Sequence, residues 1–146
     1  MRAVVQRVKQ TSLRVDGELI SEIPFGLTVF LGVKTGDSQA QADYLMKKIA
    51  NLRIFEDENG KMNLSVKDVG GEVLLVSQFT LYGDTSRGNR PSFIEAARPE
   101  IAEPLYEYAI KALSAHGVTV KKGVFGGDMK ISQLNDGPIT ILLEAE

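Results

Sequence analysis

The chain has 146 residues, no cysteine and a single histidine, His116. The absence of cysteine excludes a disulfide scaffold, a thiol nucleophile and a thiolate metal site. His116 stands beside Gly117 at the end of a predicted helix, where an imidazole usually complements the helix dipole. With His116 in that role, no Ser-His-Asp triad and no histidine-rich metal site can be assembled. We expect neither a metal nor an organic cofactor.

Long apolar runs and an excess of positive charge are also absent. No segment approaches the roughly 20 apolar residues of a membrane span, and residues 1–8 lack the apolar stretch of a secretory signal peptide. We therefore expect a cytoplasmic protein without membrane contact. The formal net charge is −2, whereas proteins that hold nucleic acid mainly through phosphates are usually basic. This charge permits only a small nucleic-acid footprint with locally clustered Lys and Arg.

The composition is that of one globular domain over residues 1–146, with 43% hydrophobic and 25% charged residues. Asp16-Gly17 between two β-prone segments predicts a hairpin. Apolar runs predict central strands at residues 27–33 and 73–81, and closing strands at 118–120 and 139–143. Six or seven strands are predicted in all.

Two segments have helical spacing. The first shows apolar residues at Ala42, Leu45, Met46, Ile49 and Leu52, and Ser38 with Gln41 forms a capping-box pair before it. The second begins near Pro99, or a few residues later because of Pro104, and ends at Gly117. Its apolar face is formed by Leu105, Tyr108, Ala109, Ala112 and Leu113. Two helices and several strands in mixed order predict an α+β fold with a mostly antiparallel, barrel-like sheet.

Polar residues meet predicted strand ends at two places. Residues 77–80, Ser-Gln-Phe-Thr, end the run at 73–81, and strand alternation would place Ser77 and Phe79 opposite Gln78 and Thr80. Residues 135–138, Asn-Asp-Gly-Pro, are most simply a turn before the last strand. The glycine-rich residues 123–127 match neither the Walker motif nor the dinucleotide fingerprint, so they predict only a tight turn.

These segments resemble motifs of the D-aminoacyl-tRNA deacylase family. Residues 77–81, Ser-Gln-Phe-Thr-Leu, are similar to its SQxxL motif, and residues 135–140, Asn-Asp-Gly-Pro-Ile-Thr, to its NxGPxT motif. Residues 2–8, 88–93 and 123–129 also resemble family segments. Either short motif alone is weak, but both in this order and spacing are specific, and the resemblance covers almost the whole chain.

The resemblance implies a homodimeric enzyme that hydrolyses the ester at the aminoacylated 3′ end of tRNA, with no DNA partner. It implies that the catalytic residues are Gln78, Phe79 and Thr80. Main-chain N–H groups there would form an oxyanion hole. Thr80 is either a nucleophile or a positioning group, and we favour positioning because no histidine or obvious lysine stands beside it to activate it.

The resemblance also implies a set of substrate-binding residues, namely Ser77, Arg7, Phe125, Met129, Asn135, Gly137 and Pro138. Gly137-Pro138 is implied to be a cis peptide that enters the partner's site, and Arg7 to help hold it. A stiff wall of this kind would exclude L-amino acids by clash. Glycine has no side chain to exclude, so we also expect hydrolysis of Gly-tRNA.

Two other functions fit the same residues. One is a dimeric RNA-binding module without catalysis, which would contact the tRNA end through Lys47, Lys48, Arg87 and Arg90. The other is a hydrolase of small esters that ignores tRNA.

Overall fold

The computed structural model describes all 146 residues as two sheets and two α-helices. The strands are β1 Arg2–Val15, β2 Glu18–Ile23, β3 Gly26–Gly32, β4 Phe55–Glu56, β5 Met62–Leu64, β6 Glu72–Ser77, β7 Thr119–Lys122 and β8 Met129–Glu144. The helices are α1 Gln39–Asn51 and α2 Pro99–Ser114, and a single 3₁₀ turn covers Phe79–Tyr82. The two predicted helices are confirmed, and the strand count rises to eight because β4 and β5 are too short to show a period.

The long strand β1 organises the main sheet. One edge of β1 pairs with β3 through residues 2–8 and with β2 through residues 11–15, while β8 pairs along the other edge. All three pairings are antiparallel, whereas β3–β6 and β6–β7 are parallel. The predicted α+β class is confirmed, but the sheet is mixed. The parallel pairs arise because α1 and α2 carry the chain across the sheet between those strands.

Both helices begin at or close to the predicted residues. The Ser38 N–H donates to Gln41 Oε1 at 2.8 Å and Ser38 Oγ accepts from the Ala40 N–H at 3.3 Å, which is the predicted capping box of α1. The helix α2 begins at Pro99 and contains Pro104 in its second turn. Neither helix is long and apolar enough to cross a membrane.

The core lies on both sides of β6. The larger apolar cluster includes Val73 and Leu75 of β6 with Leu45 of α1 and Leu113 of α2. A smaller cluster on the opposite face contains Leu74 and Val76 with Val8, Leu13 and Ile23. These four β6 side chains are all fully buried, as expected for a continuous apolar strand with both faces covered.

Two predicted boundaries are wrong. The strand predicted at residues 73–81 ends at Ser77, because the chain enters the 3₁₀ turn there. The last strand begins at Met129, since β1 is long enough to pair with it from residue 15 back to residue 2. Residues 135–138 therefore lie within β8, not in a turn before it.

Candidate active site

The 3₁₀ turn Phe79–Tyr82, called the 79–82 turn below, continues directly from β6. The Gln78 N–H makes the last bond to β3, to Leu31 O at 2.8 Å. The turn packs closely on Gly32, where an added Cβ would lie 3.1 Å from both Gln78 O and Leu81 Cβ. Glycine at the end of β3 therefore permits the approach that places Phe79 and Thr80 at the surface.

The side chains of Gln78 and Thr80 interact within this segment. The Gln78 amide donates a hydrogen bond to Thr80 Oγ1. Thr80 is exposed, and Phe79 is 55% exposed. The predicted alternation across a strand does not hold here, because a 3₁₀ turn places side chains three residues apart on the same side.

A cavity of about 560 Å³ opens beside the turn. The predicted site residues that line it are Ser77, Gln78, Phe79, Phe125 and Met129. They come from the end of β6 and from the segment that leads into β8, and the start of α2 closes the third side. Thr80 does not line the cavity. Its hydroxyl accepts a hydrogen bond from the side chain of Gln78, which does line the cavity.

Tyr106 is a lining residue that the sequence reasoning missed. Its hydroxyl donates to Leu75 O at 2.7 Å and accepts from the Gly123 N–H at 3.2 Å. Burial raises the pKa of Tyr106 to about 12, and its ring packs against Phe125 with centroids 6.1 Å apart. Tyr108, which was predicted on the apolar face, is partly buried and packs against the same core, but it does not line the cavity. The spacing of Ala102, Tyr106, Ala109 and Leu113 is the signal that identifies the buried face.

The loop of residues 84–92 follows the turn and leads into Phe93, which contacts it. Asp84 and Ser92 exchange main-chain hydrogen bonds at 2.8 and 2.9 Å, which closes the loop at its base. Phe93 then meets Phe79 edge-on, with ring centroids 5.2 Å apart. Arg87 and Arg90 are exposed on this loop and are not part of the cavity lining.

The other basic residues singled out earlier lie elsewhere. Lys47 and Lys48 are exposed on α1, none of whose residues lines the cavity. Lys48 Nζ lies 5.7 Å from the centroid of the Tyr44 ring. His116 follows α2 in a turn, as expected for a residue at a helix end, and it does not line the cavity. No group of three or more His, Asp or Glu side chains is placed to hold a metal ion.

The Gly137-Pro138 segment forms an expanded bulge in β8. Gln6 pairs with Thr140 and Val8 with Asn135, so the four residues 136–139 stand opposite Arg7 alone. The Gly137-Pro138 peptide is cis, and both residues are exposed.

Arg7 anchors this bulge from β1. It is only 7% exposed, and its Nη1 donates to Ile54 O at 2.7 Å. Its Nε lies 3.1 Å from Asp136 Oδ2, an ion pair whose angle does not meet hydrogen-bond geometry. Arg7 thus contacts the Gly-Pro segment, but within one chain Arg7, Asn135, Gly137 and Pro138 do not line the cavity.

The model of the D-Tyr-tRNA(Tyr) deacylase family matches residues 4–144. The chain belongs to this family. Among curated relatives, the D-aminoacyl-tRNA deacylase of Syntrophomonas wolfei is 58% identical over 146 residues, all of this chain and 98% of that protein. The D-aminoacyl-tRNA deacylase of Bacillus cytotoxicus is 51% identical over the full length of both.

Two solved structures are similar to this D-Tyr-tRNA(Tyr) deacylase family member. The c-Myc DNA Unwinding Element Binding Protein has a TM-score of 0.93 and 43% identity, with 100% of this chain and 99% of that chain covered. A probable eukaryotic D-amino acid tRNA deacylase has a TM-score of 0.83 at 16% identity, with 97% of each chain covered, and it shows the fold alone. The family predicted from the motifs is confirmed, as is an enzyme that hydrolyses ester bonds.

Proposed function

We propose that this chain hydrolyses the ester bond of D-aminoacyl-tRNA and releases the free D-amino acid and the tRNA. The observation that carries the proposal is the pair of main-chain N–H groups of Phe79 and Thr80. Both groups occupy the first positions of the 79–82 turn, ahead of the Leu81 N–H that bonds to Gln78 O, so they have no acceptor within the turn, which lies beside the cavity. Gln78 contributes its side chain only, because its own N–H is bonded to Leu31.

Two adjacent donors of this kind suit the negative charge that develops on an ester carbonyl under attack by water. Removing one oxyanion donor typically costs an enzyme about 10²–10³ in kcat. The partner of the Thr80 hydroxyl is the Gln78 amide, which donates a hydrogen bond and cannot act as a base. This supports Thr80 as a positioning group. The ribose 2′-hydroxyl beside the ester is a further group that RNA offers and DNA does not.

The site is completed, in this proposal, by a second copy of the chain. Gly137 of the partner subunit and its proline would close the cavity, with Asn135 beside them. Support comes from the exposure of Gly137 and Pro138 and from the Arg7–Asp136 ion pair that holds their segment. Sedimentation should show a dimer at micromolar concentration, and a monomer that is fully active contradicts this part.

A wall of main-chain atoms would proofread chirality by excluding the side chain of an L-amino acid. Such a wall does not select for the presence of a side chain, because the absence of one methylene changes binding by only about 1–3 kcal/mol. Gly-tRNA should therefore be hydrolysed, whereas L-Ala-tRNA should remain intact. We expect this activity in the cytoplasm, where charged tRNA is made.

The deciding experiment is deacylation of D-Tyr-tRNA and L-Tyr-tRNA by the purified protein, followed by Gly-, D-Ala- and L-Ala-tRNA at matched enzyme concentration. Release from D-Tyr-tRNA and from Gly-tRNA is expected. If Gly-tRNA is as inert as L-Ala-tRNA, the site recognises a D side chain directly and the exclusion mechanism is wrong.

Variants of Thr80 separate its two possible roles. Thr80→Ser and Thr80→Ala should both keep substantial activity if the hydroxyl positions the substrate. A nucleophile would lose orders of magnitude in Thr80→Ala, and a trapped threonyl ester would establish that role instead.

Two controls address the other functions. A non-catalytic RNA-binding module would bind D-Tyr-tRNA without releasing tyrosine. A small-ester hydrolase would cleave a free D-tyrosine ester as fast as the tRNA ester. The net charge of −2 does not favour a DNA partner.

A further inference from the structure

Arg2 lies outside the cavity but contacts the 79–82 turn directly. Its Nη1 donates to Leu81 O at 2.8 Å across 79 residues of sequence. Arg2 stands opposite Gly32 in the β1–β3 pairing, and Gly32 is the residue on which the turn packs. The turn is therefore held by its close approach to β3 and by the hydrogen bond from Arg2.

Two further contacts fix the guanidinium of Arg2. Its Nε lies 2.6 Å from Glu144 Oε1 at the end of β8, and its central carbon lies 4.8 Å from the centroid of the Tyr82 ring. Tyr82 is only 6% exposed, so the ring is a fixed surface. A planar guanidinium that pairs with a carboxylate, donates to a carbonyl and stacks on an aromatic ring has little freedom to move.

The turn needs such external contacts because its own hydrogen bonds are few. The Leu81 N–H reaches Gln78 O at 3.3 Å and the Gly83 N–H reaches Thr80 O at 3.0 Å. The carbonyls at the end of a helical turn carry partial negative charge, so a cation is well placed there. The N–H groups of Phe79 and Thr80 lie at the opposite end of the same turn.

We propose that Arg2 is a positioning residue of the deacylase reaction, which orients the 79–82 turn so that the Phe79 and Thr80 N–H groups meet the developing oxyanion. This inference rests on the function proposed above. Arg2 acts through the turn and does not touch the substrate, so its loss should lower kcat and leave KM nearly unchanged.

The test compares Arg2→Met, Arg2→Lys and a matched control. Methionine keeps an unbranched side chain that can cover the same apolar surface but cannot donate to Leu81 O. Lysine keeps a charge that can sit over Tyr82 and donate to the same carbonyl. The control is Arg53→Met, because Arg53 is an exposed arginine that also donates to a main-chain carbonyl, Asn63 O at 3.1 Å, and does not line the cavity.

With D-Tyr-tRNA as substrate, Arg2→Met should lower kcat by about 10- to 100-fold while KM changes less than about twofold, since small misplacements of catalytic groups cost up to 10²-fold. Arg2→Lys should recover kcat to within about threefold of the parent protein, and Arg53→Met should match the parent. A folded Arg2→Met protein with unchanged kcat, or one in which KM alone rises, overturns the proposal.

A second readout does not depend on catalysis. The amide NMR signals of Phe79 and Thr80 should shift in Arg2→Met, return towards their parent positions in Arg2→Lys and stay in place in Arg53→Met. If the parent protein does not hydrolyse D-Tyr-tRNA, the proposed function fails, while these signals still report whether Arg2 orients the turn. If Arg2→Met is recovered unfolded, Arg2→Gln replaces it with the same expectations, because its shorter side chain cannot span to both Leu81 and Glu144. Unshifted amide signals in the folded variant overturn the positioning role.

Discussion

The substitution Tyr106→Phe isolates the hydroxyl that joins β6 to the segment directly after β7. The phenylalanine ring fills the same space, so core packing and the contact with Phe125 are retained. Only the bond to Leu75 O at 2.7 Å and the bond from the Gly123 N–H at 3.2 Å are lost. Both are buried, so water cannot readily replace the hydroxyl at either group.

The expected loss follows from these two bonds. A buried donor or acceptor left without a partner costs about 1–3 kcal/mol. The energetic cost at Leu75 O is the smaller of the two, because a carbonyl oxygen has a second lone pair. The Gly123 N–H loses the acceptor that it has in this structure. We therefore expect a decrease of about 2–3 kcal/mol in the free energy of unfolding. For a chain of this size that corresponds to a fall in Tm of roughly 5–10 °C.

Urea denaturation and calorimetry measure this decrease, and Tyr108→Phe is the control. Tyr108 lies two residues away on α2, and its hydroxyl donates to Asp43 Oδ1 at 2.8 Å in an exposed position. Its removal should cost about 0.5 kcal/mol or less. Equal losses in the two variants, or a loss below about 0.5 kcal/mol in Tyr106→Phe, would show that the hydroxyl does not hold Leu75 and Gly123 together.

Three other predictions concern pH, salt and packing. Burial raises the pKa of both Tyr82 and Tyr106 to about 12, above the value of about 10 for an unfolded tyrosine. Their protonated forms favour the fold, so this stability is complete below pH 10 and lost as pH rises from about 10 to 12; urea midpoints that stay level over that range would contradict it. Binding of tRNA should depend weakly on salt, with a log–log slope shallower than about −3 by fluorescence anisotropy, and a slope near −10 would refute a small footprint. Gly32→Ala should push on Gln78 O and Leu81 Cβ, lowering kcat more than about tenfold while stability falls by about 1–3 kcal/mol; an alanine variant with parental kcat would count against the close approach.

Local features of the fold were predictable from the sequence because neighbouring residues determine them. Asp16 and Gly17 both have positive φ, of 50° and 78°, as the Asp-Gly hairpin requires. The capping box at Ser38 likewise depends only on residues within one turn of helix. Strand boundaries depended on distant partners instead, since β8 extends to Met129 only because β1 is there to pair with it.

The candidate site was predictable as a set of residues but not as a geometry. Nothing in the run from Val73 to Leu81 shows that the strand ends at Ser77. The turn that follows Ser77 packs on Gly32 and accepts a hydrogen bond from Arg2, which lie about 45 and 75 residues before Ser77. Tyr106 was missed because its two partners are main-chain groups of other elements, which leave no pattern in the sequence. Whether the predicted residues act as proposed stays a prediction.

The burial of β6 on both faces also determines how the enzyme should lose activity. Val73 to Val76 are fully buried, and only Ser77 and Gln78 separate them from the exposed start of the turn. Amides in such a strand should exchange with solvent only when the whole molecule opens, whereas Phe79 and Thr80 are exposed residues at the start of a short turn. Protection from exchange should therefore fall by several orders of magnitude over three residues. Because the turn follows directly from this buried strand, it should keep its shape until the strand opens. Activity should therefore persist in mild denaturant and be lost together with the fold.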